Sequence, residues 1–203
     1  ADIIRQVRDS GLERTAGLLR STLKAAFNCG LRAAYDTSLP ESFNGFKIVS
    51  NPVDPIKAIT VRAGHRTLSA GEVKAYLSEL GEDLSDLALK LAFYSGGQRM
   101  AQILRAEVSD WNPDIKVLRL FDPKGKRTQP REHLLPLGPV AADIVKALVE
   151  RSNDRNTALL FPSRRRTLLH DSQIGPRVTE ISKKIKSEPF DLRDIRRTVE
   201  TML

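Results

Sequence analysis

The sequence predicts a mainly α fold with a small antiparallel β-sheet, an α+β class, built as a helical N-terminal domain followed by a larger mixed domain. Three observations predict it. Apolar residues recur at steps of three and four over most of the chain. Two alternating segments, Lys116–Phe121 and Arg131–Pro136, flank the basic, glycine-containing stretch Asp122-Pro-Lys-Gly-Lys-Arg-Thr-Gln-Pro130, the pattern of a β-hairpin. Between the helical parts, Asn51-Pro-Val-Asp-Pro55 breaks regular structure, because a proline pushes the residue before it out of the helical region. The boundaries that follow are a helical domain over 1–55, an extended linker over 56–66, and a second domain over 67–203.

In chain order, Asp2–Asp9 reads as the end of a helix, joined through Gly11 to a long amphipathic helix over 12–35, whose stripe is Leu12, Ala16, Leu19, Leu23, Phe27, Leu31 and Ala34. Leu39–Gly45 carries Pro, Ser, Asn and Gly and reads as loop. Ser69-Ala-Gly-Glu72 is a capping box, in which serine and glutamate satisfy each other's free amides, opening a helix to about Leu80. Leu84, Leu87, Ala88, Leu91 and Ala92 mark the next helix, which Gly96-Gly97 should stop. A short helix over Gln98–Ala106 then carries Arg99 in its first turn. After the hairpin, Pro139 starts a helix to about Arg151. Ser172–Lys186, with Pro176 in its opening turn, and Asp191–Leu203 complete the set.

Composition narrows the function. Among 203 residues, 33 are basic and 25 acidic, a net charge of +8 that favours a polyanionic partner, above all nucleic acid. The excess is concentrated in Phe161–Lys186, where Arg164, Arg165, Arg166, Arg177, Lys183, Lys184 and Lys186 face only Asp171 and Glu180. No apolar run approaches a membrane span and no leader opens the sequence. The single cysteine, Cys29, excludes an internal disulfide, lies in an apolar stripe as a buried thiol should, and suits a reducing cytoplasm. Three scattered histidines do not make a metal site, so no metal and no cofactor are expected. His133 and His170 read as structural or solvent-exposed; Trp111, Phe121 and Phe161 read as core. His65 and Arg66, beside the linker, are placed to meet DNA backbone, while Arg14, Arg20, Lys24 and Arg32 face either a duplex or water.

The chemistry points to Arg99 and Arg196. A guanidinium is planar, permanently charged and able to grip a phosphate with two parallel hydrogen bonds. Two such forks on one phosphate would stabilise the extra charge of a phosphoryl-transfer transition state. Arg99 follows the Gly96-Gly97-Gln98 turn, and Arg196 lies in Arg193-Asp-Ile-Arg-Arg-Thr198.

The order of these pieces resembles the tyrosine recombinase (phage integrase) family across nearly the whole chain. Leu68-Ser69-Ala70-Gly71-Glu72 resembles the helix that opens that family's catalytic domain. Ser95-Gly96-Gly97-Gln98-Arg99 is similar to its first arginine turn, Lys124-Gly125-Lys126 to its hairpin lysine, Leu135-Pro136-Leu137 to its strand exit, and Arg193–Thr198 to its His-x-x-Arg-Arg-Thr box. The resemblance implies strand exchange without metal: a tyrosine hydroxyl attacks the scissile phosphate, expels the 5′-oxygen and leaves a 3′-phosphotyrosine that a second 5′-hydroxyl reseals. Arg99, Lys124, Arg193 and Arg196 would be catalytic. Arg99 and Arg196 would hold the non-bridging oxygens and Lys124, with Lys126 as runner-up, would protonate the leaving oxygen. Lys126, Arg127, Arg197, Arg164, Arg165, His65 and Arg66 would contact double-stranded DNA. The intact protein would act as a homo-tetramer on DNA, away from membranes, in the integration or excision of a phage or genomic island.

Three departures from the pattern stand out. Arg193 replaces a histidine, and arginine cannot serve as a general base near neutrality. Gln102 replaces the usual acid three places after the first arginine, so its support of Arg99 is expected to be a neutral hydrogen bond at best. Tyr35, Tyr76 and Tyr94 all precede Arg196, and none fits the nucleophile. The sequence lacks an initial methionine and ends without a helix stop, so it reads as a fragment, missing part of the helical clamp, that binds DNA without cleaving it. The alternatives are a non-catalytic DNA-binding or regulatory module derived from this fold, which Arg193 and Gln102 favour, and a metal-dependent nuclease, which the absence of clustered ligands disfavours.

Overall fold

In the computed structural model residues 1–60, 64–122 and 130–202 are described, and the chain divides into two compact units, 1–63 and 64–203. The first unit consists of α1 (Asp2–Asp9), α2 (Glu13–Arg32) and a short 3-10 turn, Glu41–Phe46, where loop was expected. Gly11 takes a φ of +82° between the helices, a left-handed conformation that suits glycine. Of the expected stripe on α2 only Ala16 is fully buried, and Cys29 is half-buried rather than buried. The segment after the 3-10 turn is fastened to α2 by polar contacts. The Asn51 side-chain amide donates to the Lys24 carbonyl (3.0 Å) and to Asn28 Oδ1 (2.7 Å), Arg20 Nε donates to the Ile56 carbonyl (2.7 Å), and Lys24 Nζ lies 2.8 Å from Asp54. Arg20 and Lys24 therefore hold the chain itself.

The second unit is built around one apolar core. Its helices are α3 (Ala70–Ser78), α4 (Leu84–Tyr94), α5 (Met100–Ile103), α6 (Pro139–Asp154), α7 (Asp171–Lys184) and α8 (Leu192–Met202). Strands β1 (Trp111–Asn112), β2 (Val117–Asp122) and β3 (Arg131–Pro136) form an antiparallel sheet in the order β1-β2-β3. The register pairs Asp122 with Arg131, Leu120 with His133 and Leu118 with Leu135. Because side chains alternate across a strand, these six share one face. Leu118, Leu120 and Leu135 are buried in the same apolar core as Leu91, Ile103 and Phe161. Phe161 is fully buried as expected, whereas Trp111 and Phe121 are only half-buried, the latter beneath the Arg119 guanidinium at 5.4 Å.

Local chemistry explains most helix ends. Ser69 and Glu72 complete the capping box on α3, the Ser69 amide donating to Glu72 Oε2 at 2.9 Å. α7 begins on His170, whose ring nitrogen accepts from the Ser172 amide, and Pro176 sits in its second turn rather than its first. α5 is much shorter than Gln98–Ala106. Arg99 is its extended N-cap (φ −67°, ψ 127°), and after Ile103 the chain is drawn into a bridge with residues 158–160 through Val108 N to Ala158 O (2.8 Å) and Leu160 N to Ala106 O (3.1 Å).

Charge pairs tie distant elements of this unit together. Arg177 on α7 grips Asp86 on α4 with Nε and Nη2 at 2.8 and 3.0 Å and reaches the Glu79 carbonyl at 2.8 Å. Burial opposes the Asp86 charge, but the Arg177 fork and the Gly81 amide outweigh it and hold the carboxyl below its usual range. Arg66 donates to Glu72 (2.6 Å), to the Glu188 and Pro189 carbonyls and to Thr67, and lies 5.6 Å over the Phe190 ring.

The turn after α4 brings α8 close. Gly96 and Gly97 take φ of +86° and +76°. A Cβ on Gly97 would stand 3.0 Å from the Arg196 carbonyl oxygen and 3.3 Å from Val199 Cβ, so glycine is required there both for its dihedral and for the helix packed on it. From the other side, Thr198 accepts from the Leu68 amide at 2.8 Å.

Two outcomes test this account. Gly97→Ala should destabilise the protein by roughly 2 kcal/mol in urea melts, whereas Gly71→Ala, in α3 with open space around its Cβ, should not. Arg66 first, then the Ser69 amide, holds the Glu72 carboxyl down from 4.5 to about 2. Its folded value is depressed, so its contribution is complete above the unfolded value and disappears as pH falls from 4.5 toward about 2. Melts of Glu72→Gln should show less acid sensitivity than wild type across that window.

Candidate phosphate-binding site

The Gly96-Gly97 turn and α8 make one wall of a cavity of about 400 Å³, lined by Arg99, Gln102, Asp122, Arg131, His133, Arg196 and Glu200. An adjoining cavity of about 440 Å³ shares Gly97, Gln98, Arg99 and Arg196 and adds Leu89, Asp171 and Arg193 among others. Residues about a hundred positions apart thus meet, because the glycine turn sets Arg99 beside the α8 turn that carries Arg196.

Each arginine has a carboxylate partner. Arg99 Nη1 donates to Asp122 Oδ2 on β2 at 3.1 Å with its side chain about half exposed (49%). Arg196 Nε donates to Glu200 Oε1, one helical turn on, at 2.6 Å. The sequence predicts at best a neutral hydrogen bond from Gln102 to Arg99. Gln102 does line the cavity and is buried, yet the acid that steadies Arg99 comes from the sheet. Strand register explains this, since Asp122 is the last residue of β2 and lies on the face turned to the cavity.

Arg193 lines the neighbouring cavity, and its guanidinium lies 3.3 Å from Asp191 at an exposed position. Arg197 is turned away from this role. It donates to the Arg66 carbonyl (2.8 Å) and to Asp194 (2.7 Å), and so ties α8 to the segment before α3. Arg66 is only 15% exposed and is committed to internal acceptors, in contrast to the DNA contact expected of it. His65 is exposed. Arg164 and Arg165 are exposed on a separate cavity of about 960 Å³, with Arg151 and Arg155. Lys124, Lys126 and Arg127 lie outside the described residues, but the strands that flank them end at Asp122 and Arg131 on the wall of the Arg99–Arg196 cavity.

Arg131, His133, Asp122 and Glu200 were not assigned to the site from the sequence. The signal was present in the alternation of β3, where residues 131, 133 and 135 share a face, but it could not be used without knowing that the face runs out from the core into this cavity. Among the described residues no cluster of His, Cys, Asp and Glu is arranged to hold a metal ion, and no helix is long and apolar enough to cross a membrane.

The tyrosines differ sharply. Tyr76 is fully buried, with no hydrogen-bond partner for its hydroxyl among the described residues. Burial, and then the Asp86 charge, raises its pKa far above the usual phenol value. Tyr35 is 91% exposed in the first unit, and Tyr94 is partly exposed at the end of α4.

The fold has well-matched solved relatives. A lambda integrase dimer bound to a COC′ core site superposes with a TM-score of 0.67 at 21% identity, covering 100% of this chain and 70% of that one. A lambda integrase tetramer bound to a Holliday junction gives 0.64 at 20% identity, covering 98% and 56%. The Tn1549 transposon integrase in complex with circular intermediate DNA gives 0.62 at 14% identity, covering 98% and 69%. At such identities the likeness speaks for the fold, and this chain spans between about half and 70% of the lengths of these proteins. No curated protein matches the sequence significantly. The model of the phage integrase family matches residues 66–203, which hold the glycine turn, the hairpin strands and the arginine helix. The chain therefore belongs to the phage integrase family, the tyrosine recombinases.

Proposed function

We propose that this chain is the DNA-binding portion of a site-specific tyrosine recombinase, and that the Arg99–Arg196 cavity takes the scissile phosphate. The observation that carries this is the shared wall of two guanidiniums beside a strand end. In this reading both forks turn from their carboxylates, the half-buried Asp122 and the exposed Glu200, to bind the non-bridging oxygens, an exchange of one anion for another at ion pairs partly open to water. As a tyrosine oxygen, its proton passed to another group or to water because Arg193 cannot accept it, bonds to phosphorus, the bond to the 5′-oxygen breaks and that oxygen takes a proton from Lys124, or from Lys126 if the register differs. The support for a lysine there is that both ends of its segment border the cavity.

The nucleophile is none of Tyr35, Tyr76 and Tyr94 in this reading. Tyr76 is inaccessible, and ionising it would bury a charge. Residues 1–55 would serve as a helical DNA clamp and 67–203 as the catalytic domain, joined by 56–66, with a homo-tetramer assembled on DNA in the complete cytoplasmic protein. Arg164 and Arg165 would contact backbone phosphate outside the reacting position, and His65 would do so near the linker. Arg193 favours a second reading, a module that binds DNA and no longer cleaves it, because an arginine there cannot accept a proton.

Duplex binding should weaken steeply with salt, log K falling by about 0.9 for every phosphate neutralised per tenfold rise in salt; a flat response would rule out DNA as the partner. In the full-length protein Arg99→Ala should lower cleavage of a nicked or suicide substrate by at least about a hundredfold while leaving most of the binding. Cleavage at the wild-type rate would remove Arg99 from the mechanism, and a wild-type protein that binds without cleaving would favour the second reading.

A further inference from the structure

His133 occupies an informative place. It lies on β3 opposite Leu120, on the face that buries Leu118, Leu120 and Leu135, yet it is exposed because the core gives way there to the Arg99–Arg196 cavity. The charged groups around it come from every wall: Arg131 on its own strand, Asp122 on β2, Arg99 at the start of α5, and Arg196 and Glu200 on α8, with the neutral Gln102 beside them. The guanidiniums stay charged throughout the accessible range, and Asp122 and Glu200 are each ion-paired to one of them. Imidazole is the side-chain type that changes charge near neutral pH. Among the described residues lining this cavity, His133 is thus the group able to adjust the positive charge offered to an anion.

We propose that His133 is a titratable phosphate ligand of this cavity, so that DNA binding takes up a proton. The inference rests on reading the cavity as a phosphate site and adds a residue to it. As imidazolium the ring donates a charge-assisted hydrogen bond to a phosphate oxygen; as neutral imidazole it contributes at most an uncharged one. A bound phosphate favours the protonated ring, and by linkage the protonated ring favours bound phosphate.

The test is duplex binding by the 203-residue chain, followed by fluorescence anisotropy at constant ionic strength from about pH 5.5 to about pH 8.5, the range in which imidazole titrates. Wild type should lose about tenfold in affinity across that range, the size expected for one charge-assisted hydrogen bond. His133→Ala should bind as weakly at low pH as wild type does at high pH, with most of the slope gone. His133→Arg should keep tight binding at high pH, also with little slope. The exposed position makes both substitutions compatible with folding. A His133→Ala protein that retained the wild-type slope would overturn the proposal while leaving the phosphate site intact. Salt-insensitive binding, or none at any pH, would instead overturn the phosphate reading itself.

Discussion

The approach of α8 to the Gly96-Gly97 turn is the constraint on which the site depends. A helix backbone can sit where the Arg196 carbonyl does only if the residue beneath it has no side chain and accepts a positive φ, and Gly97 meets both conditions. The consequence reaches past packing. The same turn ends α4, delivers Arg99 as the N-cap of α5 and sets it against the helical turn bearing Arg196. One backbone feature therefore brings arginines from two distant sequence segments to the lining of one cavity, which the sheet also lines with Asp122, Arg131 and His133.

Partnering by carboxylates gives this arrangement its chemical character. An uncompensated pair of guanidiniums would repel and splay. Asp122 and Glu200 offset that repulsion and hold Arg99 and Arg196 in place, one from a strand end and one from the next turn of the same helix. Because both pairs are partly open to water, neither is bound strongly enough to exclude a competing anion. A phosphate has the geometry to accept two parallel bonds from a guanidinium fork.

Much of this was legible in the sequence. The capping box at Ser69, the glycine stop after α4, the hairpin strands and the terminal arginine helix are local signals, each determined by a few neighbouring residues, and the structure contains all of them. What failed was nonlocal. The helix after Arg99 is cut short as residues 106–108 are drawn into a bridge with 158–160, partners far along the chain. β1 is two residues long, too short to show alternation. Gln102 in place of the expected acid predicts a weakly supported Arg99, since helical spacing looks only along the helix, while the partner Asp122 arrives through strand register.

The same distinction governs what the net charge of +8 means. Counted in sequence, Arg66, Arg177 and Arg197 are as available to a polyanion as Arg99 and Arg196. In the fold they are not. Arg177 spends a bidentate grip and a carbonyl contact on α4 and the end of α3, Arg66 satisfies four protein acceptors, and Arg197 bridges a carbonyl and Asp194. Backbone carbonyls cannot move away to make room for a phosphate, so withdrawing these guanidiniums would leave acceptors unsatisfied in partly buried surroundings. Arg99 and Arg196, by contrast, are each paired with a carboxylate side chain. The identity of the internal acceptor, fixed main chain or exchangeable side chain, therefore separates arginines that build the fold from arginines whose charge remains available to a ligand.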